Sequence, residues 1–276
     1  GRAVRLTDAR TGWNYFSESS GEDTLQNVGA RYFNYGGYET YIGRGFAGPG
    51  WEQAFEVLDR GTRHLTLQAK GDDWSLTRTY RLESSPASLV IDETLTNATT
   101  IPLTLSLRTH PQLTLGGDAG DVVLYERADA EASWQAVDVL RGVHDQIRRT
   151  NSNALHQAVW QPATQRGLLW QTVTNAGTPP VDTYMFLPEK KNYFQLEQFG
   201  PAVELKPGQG YRITQTVTPL GAAPAEQAPG TLIAPDAVTN RVEGRVGEWV
   251  KGPVAVGEDR KGAALDVNHR LSLNAA

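Results

Sequence analysis

The sequence predicts an all-β protein of large, mainly antiparallel twisted sheets, and three observations lead there. Short runs alternate polar and apolar residues and are rich in Thr, Val, Leu and Tyr, as strands with one buried face are. Gly, Asn, Asp and Pro separate these runs at the spacing of hairpins and meanders. Few windows support a helix of more than two turns, and the best of them by composition, residues 128–143, shows no convincing helical period in its apolar residues.

Taken in order, the chain opens on Gly1-Arg-Ala-Val-Arg-Leu-Thr-Asp8, which begins without Met and reads as a strand almost from its first residue, so a leader or a whole domain is expected to precede it. Further strands are predicted at 64–69, 74–82, 89–95 and 103–108, with a turn at 97–102 between the last two. Two more fall at 167–173 and 211–218. Between these lies Tyr193-Phe-Gln-Leu-Glu197-Gln-Phe, an aromatic and apolar stretch with one acidic residue in its middle. The two-residue period of a strand puts Tyr193, Gln195 and Glu197 on one face and Phe194, Leu196 and Gln198 on the other. From 221 to 235 the composition shifts to Ala, Pro, Gly and Gln, the signature of a linker or surface loop. Residues 1–220 are therefore expected to form the main β domain. The tail that completes 221–276 is too poor in large apolar side chains for a core of its own and is expected to pack on that domain.

Charge and composition narrow the partners. The 276 residues carry 26 Lys and Arg against 31 Asp and Glu, a formal charge of −5, and no basic segment interleaves with aromatics. Neither nucleic acid nor an anionic membrane is expected as a partner. There is no cysteine, which excludes disulfides, thiol nucleophiles and Cys-ligated metals. No apolar run approaches the roughly 18 residues that span a bilayer. The chain reads as a soluble, bacterial-type protein; its redox compartment is open, with a periplasmic or secreted setting favoured over a cytoplasmic one.

Two residues are candidates for proton transfer. His110 follows a predicted strand and precedes a proline, a place where ligand-binding residues concentrate, and its ordinary pKa suits it to give or take a proton. Glu197 shares a strand face with an aromatic residue and an amide, as in a sugar-binding cleft, although the wet face of a half-exposed strand would explain it equally. The other histidines, His64, His144, His156 and His269, lack metal-ligand spacing, and no metal site is expected. A glycosidase would need two carboxylates at a defined separation; Glu39 and Glu52 are available, but no spacing selects them.

The segments around these candidates resemble the galactose mutarotase-like family, the aldose 1-epimerases and their hexose-phosphate relatives. Leu95-Thr-Asn97, then Leu105-Ser-Leu-Arg-Thr-His110-Pro-Gln-Leu-Thr-Leu-Gly-Gly117, is similar to the family's T-x-N turn, apolar strand, histidine and glycines. Glu197, Pro201 and Leu205-Lys-Pro-Gly208 resemble its late-strand Glu and L-x-P-G turn. Tyr35-Gly-Gly-Tyr-Glu-Thr-Tyr-Ile-Gly-Arg-Gly-Phe-Ala-Gly-Pro-Gly-Trp51 looks like its Gly-Gly loop and H-G-F-A-x-x-x-W segment drawn together, with Arg44 where the family has a histidine.

The resemblance covers roughly residues 1–220 and implies a β-supersandwich. It implies Glu197 as base on the anomeric hydroxyl and His110 as acid on the ring oxygen, on opposite sides of the sugar, with no metal or organic cofactor. Substrate contacts are expected from Arg44, Gly36, Gly37, Tyr38, Tyr41, Arg31, Tyr193 and Gln195. Arg31 and Arg44 are the candidates for the family's substrate-orienting arginine. The alternative is a non-catalytic carbohydrate-binding or accessory domain of a larger polysaccharide-processing protein, which the Arg44 replacement favours. The partner in either case is a sugar or oligosaccharide, with other domains of a longer chain also in view.

Overall fold

The computed structural model describes residues 2–8, 11–18, 21–24, 31–45, 48–51, 53–84, 86–128, 132–137, 146–150, 156–175, 182–187, 191–224, 240–246 and 269–274. Its strands in chain order begin with β1 (Arg2–Asp8), β2 (Gly21–Thr24), β3 (Arg31–Asn34), β4 (Tyr38–Ile42), β5 (Glu56–Arg60), β6 (His64–Lys70) and β7 (Trp74–Ser84). Next come β8 (Ala87–Asn97), β9 (Leu103–Leu105), β10 (Leu107–Leu113), β11 (Val123–Arg127), β12 (Gln135–Ala136), β13 (Gln146–Thr150) and β14 (His156–Gln161). The last are β15 (Arg166–Thr174), β16 (Asp182–Phe186), β17 (Phe194–Phe199), β18 (Val203–Leu205), β19 (Gly210–Leu220), β20 (Asn240–Val246) and β21 (His269–Asn274). A 3₁₀ turn spans Ala119–Asp121.

Two large sheets make the fold. One has eight strands in the order β13-β16-β17-β10-β4-β1-β20-β21, the other nine in the order β12-β11-β14-β15-β19-β8-β7-β6-β5. Every recorded pairing in them is antiparallel. The sheets share one apolar core that joins Leu6, Leu107, Phe194 and Leu196 of the first to Leu76, Ile91, Trp170 and Val217 of the second. Tyr38 stacks on Trp170 across it at 6.3 Å. β6 and β7 alternate buried and half-exposed residues, as strands with one face on the core and one toward water must.

β4, β10 and β17 depart from that pattern, being buried at every residue. Their inner faces meet the second sheet, and their outer faces are covered by polar and aromatic groups of the first. The predicted position of His110 past a strand end is corrected here. β10 runs on through His110 and Pro111 to Leu113, flanked on both sides by β4 and β17. Pro111 has no N–H for the ladder, and the Gln112 N–H bonds the Gly37 carbonyl at 2.8 Å in the next step.

The turn predicted at 97–102 is present, and its sequence partner is the distant Leu205–Gly208 turn. Asn97 Nδ2 donates to the Ile101 and Leu205 carbonyls at 2.7 and 2.8 Å, and the Gly208 N–H donates to the Asn97 carbonyl at 2.9 Å. The two turns thus clamp one another, bringing β9 onto β18 and leading into β10 and β19. In the region of best helical composition, the described residues 132–137 hold the two-residue β12 and no helix. Beyond residue 224, β20 pairs with β1 and β21 with β20.

Candidate functional site

Register assembles a charged cluster on the outer face of the eight-stranded sheet. Across β10 and β4, His110 pairs with Glu39 and Arg108 with Tyr41. Across β10 and β17, the pairs Thr109↔Gln198 and Gln112↔Gln195 bracket His110 and Glu197, so these two fall opposite one another. Directly opposed residues share a sheet face, which puts Glu39, Tyr41, Arg108, His110, Gln195 and Glu197 together. β1 adds Arg2 from the far side of β4.

Both ring nitrogens of His110 look toward carboxylates. Nε2 lies 3.5 Å from Glu197 Oε1, and Nδ1 lies 3.9 Å from Glu39 Oε1. Each carboxylate has its own guanidinium: Arg108 Nε donates to Glu197 Oε2 at 2.5 Å and Arg2 Nη2 to Glu39 Oε2 at 2.8 Å. The Tyr41 hydroxyl donates to Glu39 Oε2 at 3.3 Å, and its ring lies 5.3 Å from that of His110. Phe199 and Tyr41 flank the Arg108 guanidinium at 4.6 and 5.4 Å, and the exposed Arg44 covers Phe199 from outside at 5.2 Å. Trp51 closes the edge, its ring 6.2 Å from those of Tyr35 and Tyr41.

Burial sets the electrostatics. His110 and Glu197 are each 1% exposed and Glu39 4%, so water stabilises none of their charged forms. Desolvation raises the Glu39 carboxyl to about 7 in spite of Arg2, and the polar groups of Trp51 and Tyr41 also oppose the rise. The Glu197 carboxyl is raised too, by burial against the pull of Arg108. Burial, then Arg108 and Arg2, hold His110 well below its ordinary value, so its neutral form dominates. Glu39 is therefore the member of the cluster whose protonation changes near neutral pH. Among the described residues no group of three His, Asp or Glu is arranged to hold a metal ion.

The structure brings Glu197, His110, Gln195 and Tyr41 of the predicted set together. Glu197 and His110 stand side by side on one sheet face rather than opposed across a space for a sugar ring, and Glu197 is buried, which removes the wet-face explanation. Tyr38 is corrected: residue parity turns it to the inner face, where its hydroxyl donates to Glu93 Oε2 at 2.7 Å and lies 2.7 Å from Gln215 Oε1. The roles of Gly36 and Gly37 are corrected as well. Both have positive φ, and an added Cβ would meet the Ser17 and Ala3 carbonyls at 2.3 and 2.2 Å. They allow the backbone to pack on its own neighbours, and the Gly36 carbonyl accepts from Arg2 at 3.4 Å.

Tyr193 is buried one residue before β17. The backbone of Arg31 lies in the β2–β3 hairpin, paired with Thr24. Arg44 reaches the cluster through its carbonyl, which accepts from Arg108 Nη1 at 3.0 Å. Glu52 and His144 lie outside the described residues. Sequence reasoning missed Arg108 and Arg2, and considered Glu39 only as half of a glycosidase pair. The signal for Arg108 was the two-residue period, which places it beside His110; for Arg2 and Glu39 the pairing of distant strands was needed.

No protein-family model matches the chain, and no curated protein matches it by sequence. Its structure is similar to a galactose mutarotase-like protein from Lactobacillus casei at 14% identity, over 79% of this chain and 93% of that one, with a TM-score of 0.56. A galactose mutarotase related enzyme from Lactobacillus acidophilus aligns at 13% identity, over 82% and 92% of the two chains, with a TM-score of 0.54. A TPR-domain containing protein from Parabacteroides distasonis aligns at 13% identity over 86% of this chain and 46% of its own, with a TM-score of 0.55.

Proposed function

With the galactose mutarotase-like fold as premise, we propose that this protein binds a sugar over the β4–β10–β17 floor and interconverts its anomers, as an aldose 1-epimerase does. One observation carries the reading: Glu197 Oε1 and His110 Nε2 lie 3.5 Å apart on neighbouring strands. The hydroxyl oxygen that must lose a proton and the ring oxygen that must gain one are bonded to the same carbon. A base and an acid held side by side therefore address both atoms of one sugar. Glu197 takes the proton from the C1 hydroxyl, His110 gives one to the ring oxygen, and the C1–O bond of the ring opens to an aldehyde. Rotation and closure on the other face invert C1. The half-buried Trp51 offers a ring to the apolar face of a sugar, and Gln195 an amide.

A second reading has its own observation. Arg108 holds Glu197 Oε2 at 2.5 Å, and a carboxylate so engaged is a weaker base, which suits a non-catalytic carbohydrate-binding or accessory domain. Polarimetry on fresh α-D-glucose, α-D-galactose and a wider panel of sugars separates the two. Anomerase activity predicts acceleration over buffer that E197Q lowers by roughly 10²-fold or more. A sugar that binds in calorimetry while no sugar on the panel is accelerated leaves the binding domain.

A further inference from the structure

A base and an acid need only one carboxylate, yet two flank His110, and each is neutralised by a separate arginine. Burying carboxylates is costly unless each is paired, and the arrangement is close to symmetric about the imidazole: Arg2–Glu39 on the Nδ1 side, Arg108–Glu197 on the Nε2 side. The plain explanation of Glu39 is that it balances Arg2. That contact uses Oε2, whereas Oε1 faces the ring of His110. Strand register fixes this placement, since Glu39 is the residue paired with His110 across β4 and β10.

We propose, resting on the reading of Glu197 and His110 as base and acid, that Glu39 is the third member of a proton relay, passing its own proton to His110 Nδ1 as the Nε2 proton passes to the sugar. The transfers balance. Glu197 takes the hydroxyl proton, the C1–O bond to the ring oxygen breaks as the C1 carbonyl forms, and the ring oxygen keeps the electron pair and takes the Nε2 proton. Nδ1 takes the Glu39 proton. His110 ends neutral in its other tautomer, and the negative charge has moved from Glu197 beside Arg108 to Glu39 beside Arg2. Ring closure reverses every transfer, so nothing external is consumed.

The relay explains how a histidine with a disfavoured imidazolium acts as an acid: it never carries the extra proton. Burial and the two arginines disfavour that cation, and the Glu39 carboxyl, raised to about 7, holds a proton near neutrality. The groups facing His110 are Glu39 and Tyr41 from β4, Glu197 and Gln195 from β17, Arg108 from its own strand and Arg2 from β1. The 3.9 Å from Nδ1 to Oε1 exceeds a hydrogen bond, so the side chains must close by about 1 Å when sugar is bound, as catalytic contacts do.

Nitrogen-15 NMR of the imidazoles tests this without reference to activity. The chain has 5 histidines, and H110N assigns the signal. As Glu39 loses its proton near pH 7, His110 is expected to pass from the Nε2–H to the Nδ1–H tautomer in wild type and to hold one tautomer in E39Q. A single tautomer across that range in wild type, or the same switch in E39Q, overturns the relay. In polarimetry E39Q should lower kcat by roughly 10²-fold with KM within about threefold, and E39D should recover part; an unchanged kcat overturns it. A wild type that accelerates no sugar sinks the anomerase reading and the relay together. A fixed tautomer in an active wild type sinks the relay alone. Should E39Q fail to fold, the wild-type titration still decides.

Discussion

On their inner faces β4, β10 and β17 turn Tyr38, Thr40, Thr109 and Gln198 toward Glu93, Arg78 and Gln215 of the facing sheet; on their outer faces the same strands carry Glu39, Tyr41, Arg108, His110 and Glu197. Both faces bury Arg–Glu pairs at 2.5 to 2.8 Å, and they differ in the length of the other contacts those carboxylates make. Glu93 receives Arg78 Nε at 2.6 Å, the Tyr38 hydroxyl at 2.7 Å and Thr40 Oγ1 at 2.7 Å. Gln215 donates to Thr109 at 3.1 Å and Gln198 at 2.9 Å, Gln198 accepts from Thr172, and Gln198 donates to Gln157 at 2.9 Å. On the outer face the Glu39 and Glu197 contacts to His110 and Tyr41 are 3.3 to 3.9 Å. Short bonds fix one structure, while longer contacts at the same depth are ones that a ligand or a proton transfer can tighten.

The largest effects should come from cutting one ion pair on each face. E93Q leaves the Arg78 guanidinium charged, 2% exposed and without its counter-ion, and is expected to cost about 3–5 kcal/mol in urea unfolding. E197Q is expected to cost about 1 kcal/mol or less. Arg108 keeps the Arg44 carbonyl as an acceptor, and burial already works against the charge of Glu197, so a neutral glutamine forgoes only the part of the pairing that exceeds this cost. Equal losses would erase the distinction between the faces.

A pH titration of stability separates them next, because the outer-face groups act in opposite directions. Glu39 is raised from 4.5 to about 7, so its contribution is full below pH 4.5 and is lost as pH rises through about 7, up to a ceiling of roughly 3 kcal/mol. E39Q should therefore gain on wild type as pH rises through that window. His110 is depressed, so its contribution is present above the ordinary histidine value and is lost as pH falls below it; H110N should gain on wild type toward acid. Chemical unfolding across about pH 4 to 8, a range that brackets the ordinary Glu and His values, checks both. Slopes equal to wild type in both variants would show that neither group is perturbed as the burial requires.

How much of this was legible in the sequence follows the same divide. The alternation in 64–69 and 74–82 revealed β6 and β7, because one wet face leaves a period of two. Glu197 and His110 emerged from motif order, and Asn97 with the Leu205–Gly208 turn from turn chemistry that the structure joins directly. What failed lies where both strand faces are buried. With no wet face to mark parity, Tyr38 was grouped with Tyr41 although they face opposite ways. Pro111 read as a strand end, because only the flanking β4 and β17 show that β10 continues. Arg2 and Glu39 are 37 residues apart, and their meeting depends on β1 lying beside β4.

The smallest and sharpest test uses those two tyrosines, which sit three residues apart on one strand and differ only in face. Tyr38 gives its hydroxyl to the Glu93–Gln215 network, so Y38F removes one buried hydrogen bond and should cost about 1 kcal/mol, with sugar binding and anomer exchange unchanged. Tyr41 gives its hydroxyl to Glu39 at the longer distance of 3.3 Å while its ring lies against His110 and Arg108. Y41F should cost less stability, yet remove a donor that opposes the rise of the Glu39 carboxyl, so Glu39 should titrate higher and the pH profile of the site should move with it. Unfolding curves and a pH–rate or pH–binding profile of the two variants read both predictions at once. A profile that moves in Y38F and not in Y41F would place the working face on the wrong side of the sheet.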